Sequence, residues 1–99
     1  MISLLSWGNA KKLAKYGIVG MGLETSHKPD LSQLLTEIEK REIFWDMFVD
    51  WYADEDDPTD EIWYVFRFDY KGHRYSYSAT TKEDAVAEAL IDILKMENG

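Results

Sequence analysis

The chain has 99 residues, with 11 Lys+Arg, 19 Asp+Glu, no Cys and a formal net charge of -8. Its 45% hydrophobic and 14% aromatic content predicts one folded domain over residues 1–99 and excludes a disordered chain or a disulfide scaffold. No apolar run approaches the roughly 20 residues of a membrane helix, and the first residues do not form a signal peptide. We expect a cytoplasmic protein whose acidity favours a basic protein surface as partner, rather than nucleic acid or membrane.

Residues 1–28 predict a short basic helix followed by an apolar loop. Ser6 is suited to the N-cap, and Gly17 stands where the helix should end. One apolar stripe is formed by Ala10, Leu13 and Ala14. The segment 18–23 alternates glycines with apolar residues, in an order that does not match a dinucleotide-binding fingerprint.

Residues 29–96 predict a core of α-β-β-β-α order. Asp30 and Gln33 form a capping box for a helix that ends near Arg41, with one apolar face made by Leu31, Leu34, Leu35 and Ile38. The alternating pattern over 44–52 predicts the first strand. The acidic run 54–61 predicts a solvated loop.

The next two strands, 62–70 and 73–79, form a hairpin with Lys71-Gly72 at its tip, in a loop of two or four residues with Gly72 at a positive φ. The predicted register places three pairs opposite one another: Phe66 and Tyr77, Phe68 and Tyr75, and Asp69 and Arg74. This register makes one face aromatic and pairs opposite charges on the other. The last helix begins with a capping box in 80–84 and leaves 96–99 as a fraying tail. The predicted class is α+β, a three-stranded antiparallel sheet with packed helices, in the order α-α-β-β-β-α.

The two faces of the sheet need different covers. The helices that begin near 31 and 82 can cover the face with Trp45, Val49, Phe66, Phe68, Tyr75 and Tyr77. The second face carries Phe44, Phe48, Tyr52, Trp63 and Val65, which are too apolar for water alone. We expect residues 1–23 to cover it. The alternative is an exposed aromatic platform for a partner or for a second copy in a homodimer.

From Pro29 to Met96 the element order resembles the double-stranded-RNA-binding domain. The last helix of that family starts with a Ser-Lys-Lys-x-Ala-Lys-like motif, and the corresponding residues here are 81–86, Thr-Lys-Glu-Asp-Ala-Val. Only Lys82 matches the lysines that grip phosphates. The resemblance implies the architecture. A divergent RNA-binding domain that uses Lys11, Lys12, Lys15 and Lys82 is an alternative function.

The chain also resembles small phage and prophage proteins of unknown function, which end in a Thr-x-Glu-x-Ala helix, here 81–85. The strand-strand-helix end is similar to some antitoxins of toxin–antitoxin pairs. These resemblances imply an origin in a mobile element, and an antitoxin-like partner protein is a third functional alternative. They transfer no active-site residue.

The sequence predicts no enzyme. Its two histidines, His27 and His73, lie in predicted turns without metal-ligand spacing, so no catalytic residue, metal or cofactor is predicted. The acidic run lacks the glycine and the flanking helices of a calcium loop.

The leading hypothesis is a non-enzymatic acidic interaction module. In its concrete form it is a phage-encoded inhibitor that mimics nucleic acid on a host protein, for example a defence nuclease. The candidate partner-binding carboxylates are Asp46, Asp50, Asp54, Glu55, Asp56, Asp57, Asp60 and Glu61. The candidate aromatic surface is Phe44, Phe48, Tyr52 and Trp63.

Overall fold

The computed structural model describes residues 4–20, 28–54 and 57–98, and within 51–54 and 57–61 only the backbone. The three strands form one antiparallel sheet with the spatial order β1-β2-β3. In chain order the elements are α1 Trp7–Ala14, α2 Leu31–Glu39, β1 Trp45–Asp54, β2 Asp57–Tyr70, β3 His73–Ala79 and α3 Lys82–Asn98. The α+β class and the element order are as predicted.

Each helix begins at a side chain that accepts a hydrogen bond from the backbone three residues on, which satisfies one of the free N–H groups of the first turn. At α1, Ser6 accepts from the Asn9 N–H at 3.3 Å. At α2, Asp30 accepts from the Gln33 N–H at 2.8 Å, and at α3, Thr81 accepts from the Asp84 N–H at 3.2 Å. The return bond of the predicted capping box, from the Asp30 N–H to the Gln33 side chain, is absent from the described hydrogen bonds, and the Gln33 Nε2 donates to the Val19 carbonyl at 2.6 Å. This bond joins α2 to the segment after α1.

The β2–β3 hairpin has the predicted register, with Phe66 opposite Tyr77, Phe68 opposite Tyr75 and Asp69 opposite Arg74. Lys71 and Gly72 form a two-residue turn with φ values of 50° and 81°. Two positive φ values are typical of a type I′ turn, whose twist matches that of the strands.

The core lies between the sheet and the helices. Phe66 and Phe68 are 0% and 2% exposed, and the Phe68 ring stacks on Tyr75 and Tyr77 with centroids 5.1 and 5.8 Å apart. Helix α3 contacts α1, α2, β2 and β3. Its buried side chains are Ala85, Val86, Ala87, Ala89, Leu90, Ile91, Ile93 and Leu94, so it is the central element of the helical layer.

Helix α1 does not cover the second sheet face. Among the described elements its contacts are with α3, and the buried Leu13 belongs to the same core cluster as the α2 and α3 side chains. The prediction that residues 1–23 lie over Phe44, Phe48 and Trp63 is therefore wrong for α1, which contacts no described strand, although Ser6, Asn9 and Lys12 line one depression with Trp63. Residues 21–27 lie outside the described residues.

Two predicted boundaries are also wrong. The strands continue into the acidic run, with Asp54 opposite Asp57 after an irregularity that follows Tyr52, so the predicted loop 54–61 is mostly strand. Helix α3 continues to Asn98, where a frayed tail was predicted. Its end is held in part by Glu97, which accepts from the Arg41 Nε at 2.7 Å.

Candidate functional site: the open face of the sheet

The sheet has one face without a covering helix among the described elements. We call it the open face. Its described residues come from the three strands and the residue before β1: Phe44, Asp46, Phe48 and Asp50; Trp63, Val65, Arg67 and Asp69; and Arg74, Ser76 and Ser78. Phe44 and Phe48 are 85% and 41% exposed. The structure therefore brings together the predicted aromatic residues and the predicted strand carboxylates, Tyr52 excepted because its side chain is not described.

Two cross-strand ion pairs cross the open face. The Arg67 guanidinium donates from Nε and Nη2 to the two carboxylate oxygens of Asp46, at 3.0 and 2.5 Å. The hydrogen bonds from Arg67 hold the pKa of the Asp46 carboxyl below its ordinary value. The Arg74 Nε donates to Asp69 at 3.1 Å. Both pairs join residues that lie directly opposite one another in the sheet, and Asp46 is thus already ion-paired within the protein.

Beside the ion pairs lies an open depression of about 460 Å³, lined by Phe48, Asp50, Trp63, Val65, Ser76 and Ser78. The Arg67 guanidinium lies 4.8 Å from the Phe48 ring centroid, which shows that this ring already accepts a cation over its face. Asp50 is exposed and has no ion pair with any described residue. The depression thus combines aromatic walls, two hydroxyls and one unpaired carboxylate.

The acidic run lies on a two-stranded extension of the sheet. Strand β3 ends at Ala79, opposite Tyr64, whereas β1 and β2 remain paired as far as Asp54 and Asp57. We call β1 residues 50–54 with β2 residues 57–63 the acidic arm. Asp54, Asp57, Asp60 and Glu61 are placed on its backbone, and their side chains are not described. Glu55 and Asp56 lie outside the described residues.

The start of α3 is used for an internal contact. Glu83 and Asp84 accept hydrogen bonds at 2.8 Å from the backbone N–H groups of Leu4 and Ser6. These two acids attach the N-terminal segment to α3. Sequence reasoning missed this role, although two acids in a first turn are a general signal for N–H partners.

The lysines of the alternative RNA-binding function lie on α1 and at the start of α3. Lys11 and Lys12 are exposed on α1 and Lys15 is its C-cap, while the Lys82 Nζ lies 5.6 Å from the Tyr64 ring centroid. His73 is an exposed residue beside the hairpin turn, as predicted. His27 lies outside the described residues.

In the part of the chain that the structure describes, no three His, Asp or Glu side chains lie close enough together to hold a metal ion. No described helix is long and apolar enough to cross a membrane. Comparison of the chain with protein-family models, curated proteins and solved structures finds no match.

Proposed function

We propose that this protein is a non-enzymatic interaction module that binds a basic surface of another protein through its open face and acidic arm. The observation that carries the proposal is the depression at Asp50. An unpaired carboxylate beside Phe48 and Trp63 suits the guanidinium of Arg or the ammonium of Lys, which binds carboxylates and aromatic faces together.

The charge distribution supports the same partner. Eight acids and no base lie between Asp46 and Glu61, and Arg67 neutralises Asp46 alone among the described side chains of that stretch. The remaining acids lie mainly on the acidic arm, beyond the three-stranded part of the sheet. A field of one sign concentrated at one end of the sheet attracts an oppositely charged protein and raises the association rate.

In its concrete form the proposed partner is a nucleic-acid-binding protein of a host cytoplasm, and the protein is a phage-encoded inhibitor. Carboxylates that occupy a site for phosphates compete with nucleic acid through the same electrostatics. This form makes a further prediction: the captured partner should release DNA or RNA when the protein binds it.

The test compares two variants of equal charge in a capture experiment from a bacterial lysate. One carries Asp57→Asn, Asp60→Asn and Glu61→Gln on the arm. The matched control carries Glu39→Gln, Glu42→Gln and Glu88→Gln, three acids outside the sheet without a described ion pair. Captured proteins are identified, and their association rates are then measured with purified material.

We expect the arm variant to associate with a basic partner about tenfold more slowly at ~0.05 M salt, and the control about as fast as the original protein. The difference should shrink at ~0.5 M salt, because the charges are then screened. Equal slowing by the two variants would reduce the effect to net charge and contradict the proposal. Recovery of RNA in place of a basic protein would favour the RNA-binding alternative.

A further inference from the structure

The outer edge of β1 has no neighbouring strand among the described residues. The Asp69 N–H donates to the Phe44 carbonyl at 3.1 Å, so Phe44 and Asp69 form a hydrogen-bonded position of the β1–β2 ladder. Such positions alternate along an antiparallel pair. The backbone groups of Asp46, Phe48 and Asp50 therefore point to β2, and those of Trp45, Met47 and Val49 point away from the sheet.

The other edge follows the same rule. Tyr70 and His73 flank the two-residue turn and so form a hydrogen-bonded pair. Alternation from this pair directs the backbone groups of Ser76 away from β2, at the outer edge of β3. Among the described residues neither edge is paired with a further strand, and the backbone groups of Val49 and Ser76 both point outward.

Strand β1 is the less covered of the two edges. Among the described elements it contacts β2 alone, whereas β3 also contacts α3. Val49 points toward the helical side of the sheet and is nevertheless 45% exposed, because no described helix contacts β1. An added strand would meet open backbone groups and half-exposed apolar side chains together.

The carboxylates of β1 indicate which kind of strand can pair with this edge. Asp46 and Asp50 lie at positions whose backbone groups point inward, and side chains of facing residues are closest at such positions of an added antiparallel strand. A second copy paired through β1 would bring the unpaired Asp50 carboxylate near an acidic residue of its partner, which is destabilising. Lys or Arg opposite Asp50 would instead form a cross-strand ion pair, while Asp46 stays paired with Arg67.

We propose that β1 binds an extended basic segment of the partner as a fourth strand of the sheet, with Lys or Arg beside the unpaired Asp50. The inference rests on the proposed function, since it assumes a basic protein partner. It adds the mode of binding: backbone hydrogen bonds to Met47 and Val49 contribute affinity, and alternate side chains contribute specificity.

The probe is a labelled peptide, Thr-Lys-Val-Tyr-Val-Lys-Thr, whose symmetric core places lysines beside Asp46 and Asp50 in one antiparallel register. Its two valines then face Met47 and Val49. Methylation of both valine backbone nitrogens removes the donors that face β1, whereas methylation of both lysine backbone nitrogens changes donors that face away. We expect at least about tenfold weaker binding from the first peptide and a change within about twofold from the second.

Two proline variants test whether the peptide pairs with β1 or with β3. Val49→Pro removes an outward N–H and obstructs the edge without removing a bond to β2, as edge strands tolerate. Ser76→Pro is the matched change on β3. We expect Val49→Pro to weaken binding at least about tenfold and Ser76→Pro to leave it within about twofold. If Val49→Pro does not fold, the methylated peptides still test the inference.

Two charge-reversal variants are compared last: Asp50→Lys on β1 and, as its control, Glu39→Lys on α2. We expect Asp50→Lys to abolish peptide binding and Glu39→Lys to leave it unchanged. Failure of the peptide to bind, or binding that Ser76→Pro abolishes, overturns the inference. A third outcome is that neutralisation of the arm weakens binding whereas the proline variants and the methylated peptides do not. This outcome would contradict strand addition at β1 and would leave the proposed function unaffected. The lysate comparison above decides the proposed function separately.

Discussion

Replacement of Asp84 by Asn tests how the N-terminal segment is attached to α3. The Asp84 Oδ1 accepts from the Ser6 backbone N–H at 2.8 Å and from the Asn9 Nδ2 at 3.0 Å. Hydrogen bonds to a charged group contribute about 1.5–3 kcal/mol each. Asn retains an oxygen acceptor but loses the charge, and the site is partly exposed. We therefore expect the free energy of unfolding to fall by about 1–2 kcal/mol.

The pH dependence of stability separates this contact from a general loss of packing. Burial would raise the pKa of Asp84, but the hydrogen bonds from Ser6 and Asn9 hold it below its ordinary value of 3.8. A carboxyl with a lowered folded-state pKa stabilises the fold above its unfolded pKa and loses that contribution as the pH falls through the folded one. The Asp84→Asn variant should therefore lose less stability between about pH 5 and pH 2 than the original protein.

Glu88, one helical turn further along α3, is the matched control. Burial and the neighbouring Asp84 raise its pKa, so the ionised side chain disfavours folding at neutral pH. Glu88→Gln should leave the stability at pH 7 unchanged or raise it. Urea unfolding of both variants from pH 2 to pH 8 is the assay. Equal losses at Asp84 and Glu88, or an unchanged acid response in Asp84→Asn, would refute this reasoning.

Three further predictions concern the core, the turn and the arm. Leu13→Ala should cost about 2–4 kcal/mol in urea unfolding, because Leu13 is fully buried; an unchanged midpoint would mean that α1 is not packed on α3. Gly72→Ala should cost about 1–2 kcal/mol from its positive φ alone, since an added Cβ meets nothing within 4 Å; a neutral result in thermal unfolding would contradict the type I′ turn. Replacement of the six carboxylates from Asp54 to Glu61 by Asn and Gln should leave the thermal midpoint unchanged or raise it, because like-charge repulsion is relieved; a large fall would assign them a structural role.

The hairpin could be predicted from sequence because several local signals agree. Its two-residue turn contains Gly72, and one register alone aligns Phe68 with Tyr75 and Asp69 with Arg74. A slip by one residue would have moved every side chain to the other face. The helix caps were predicted for the same reason, since each depends on residues three positions apart.

The position of α1 could not be predicted from its apolar stripe. The stripe shows that one side of the helix is buried, but it does not show which element covers that side. The missing signal lay in α3, where Ala87 and Ile91 are buried in addition to the face that begins with Ala85. A helix that is apolar around most of its circumference needs neighbours on several sides. Helix α1 satisfies this need, and the open face is left without it.

The sequence did not predict that the acidic run is mostly strand, and the reason is a different one. Like charges such as Asp54 and Asp57 are unfavourable when directly opposite, so local preference predicts a loop. Backbone pairing continues from the sheet regardless. For the candidate site, sequence placed Phe48 and Asp50 on one face correctly, but the Asp46–Arg67 pairing that leaves Asp50 as the free carboxylate needed the structure.

The central claim is that β1 is a free edge that receives a basic strand, and amide hydrogen exchange tests it residue by residue. In the free protein, the N–H groups of Met47 and Val49 should exchange fast while that of Phe48 exchanges slowly, because outward and inward groups alternate along the strand. Addition of the lysine-valine-tyrosine peptide should then protect Met47 and Val49. Slow exchange at all three amides before the peptide is added, or no new protection after it, would contradict the account.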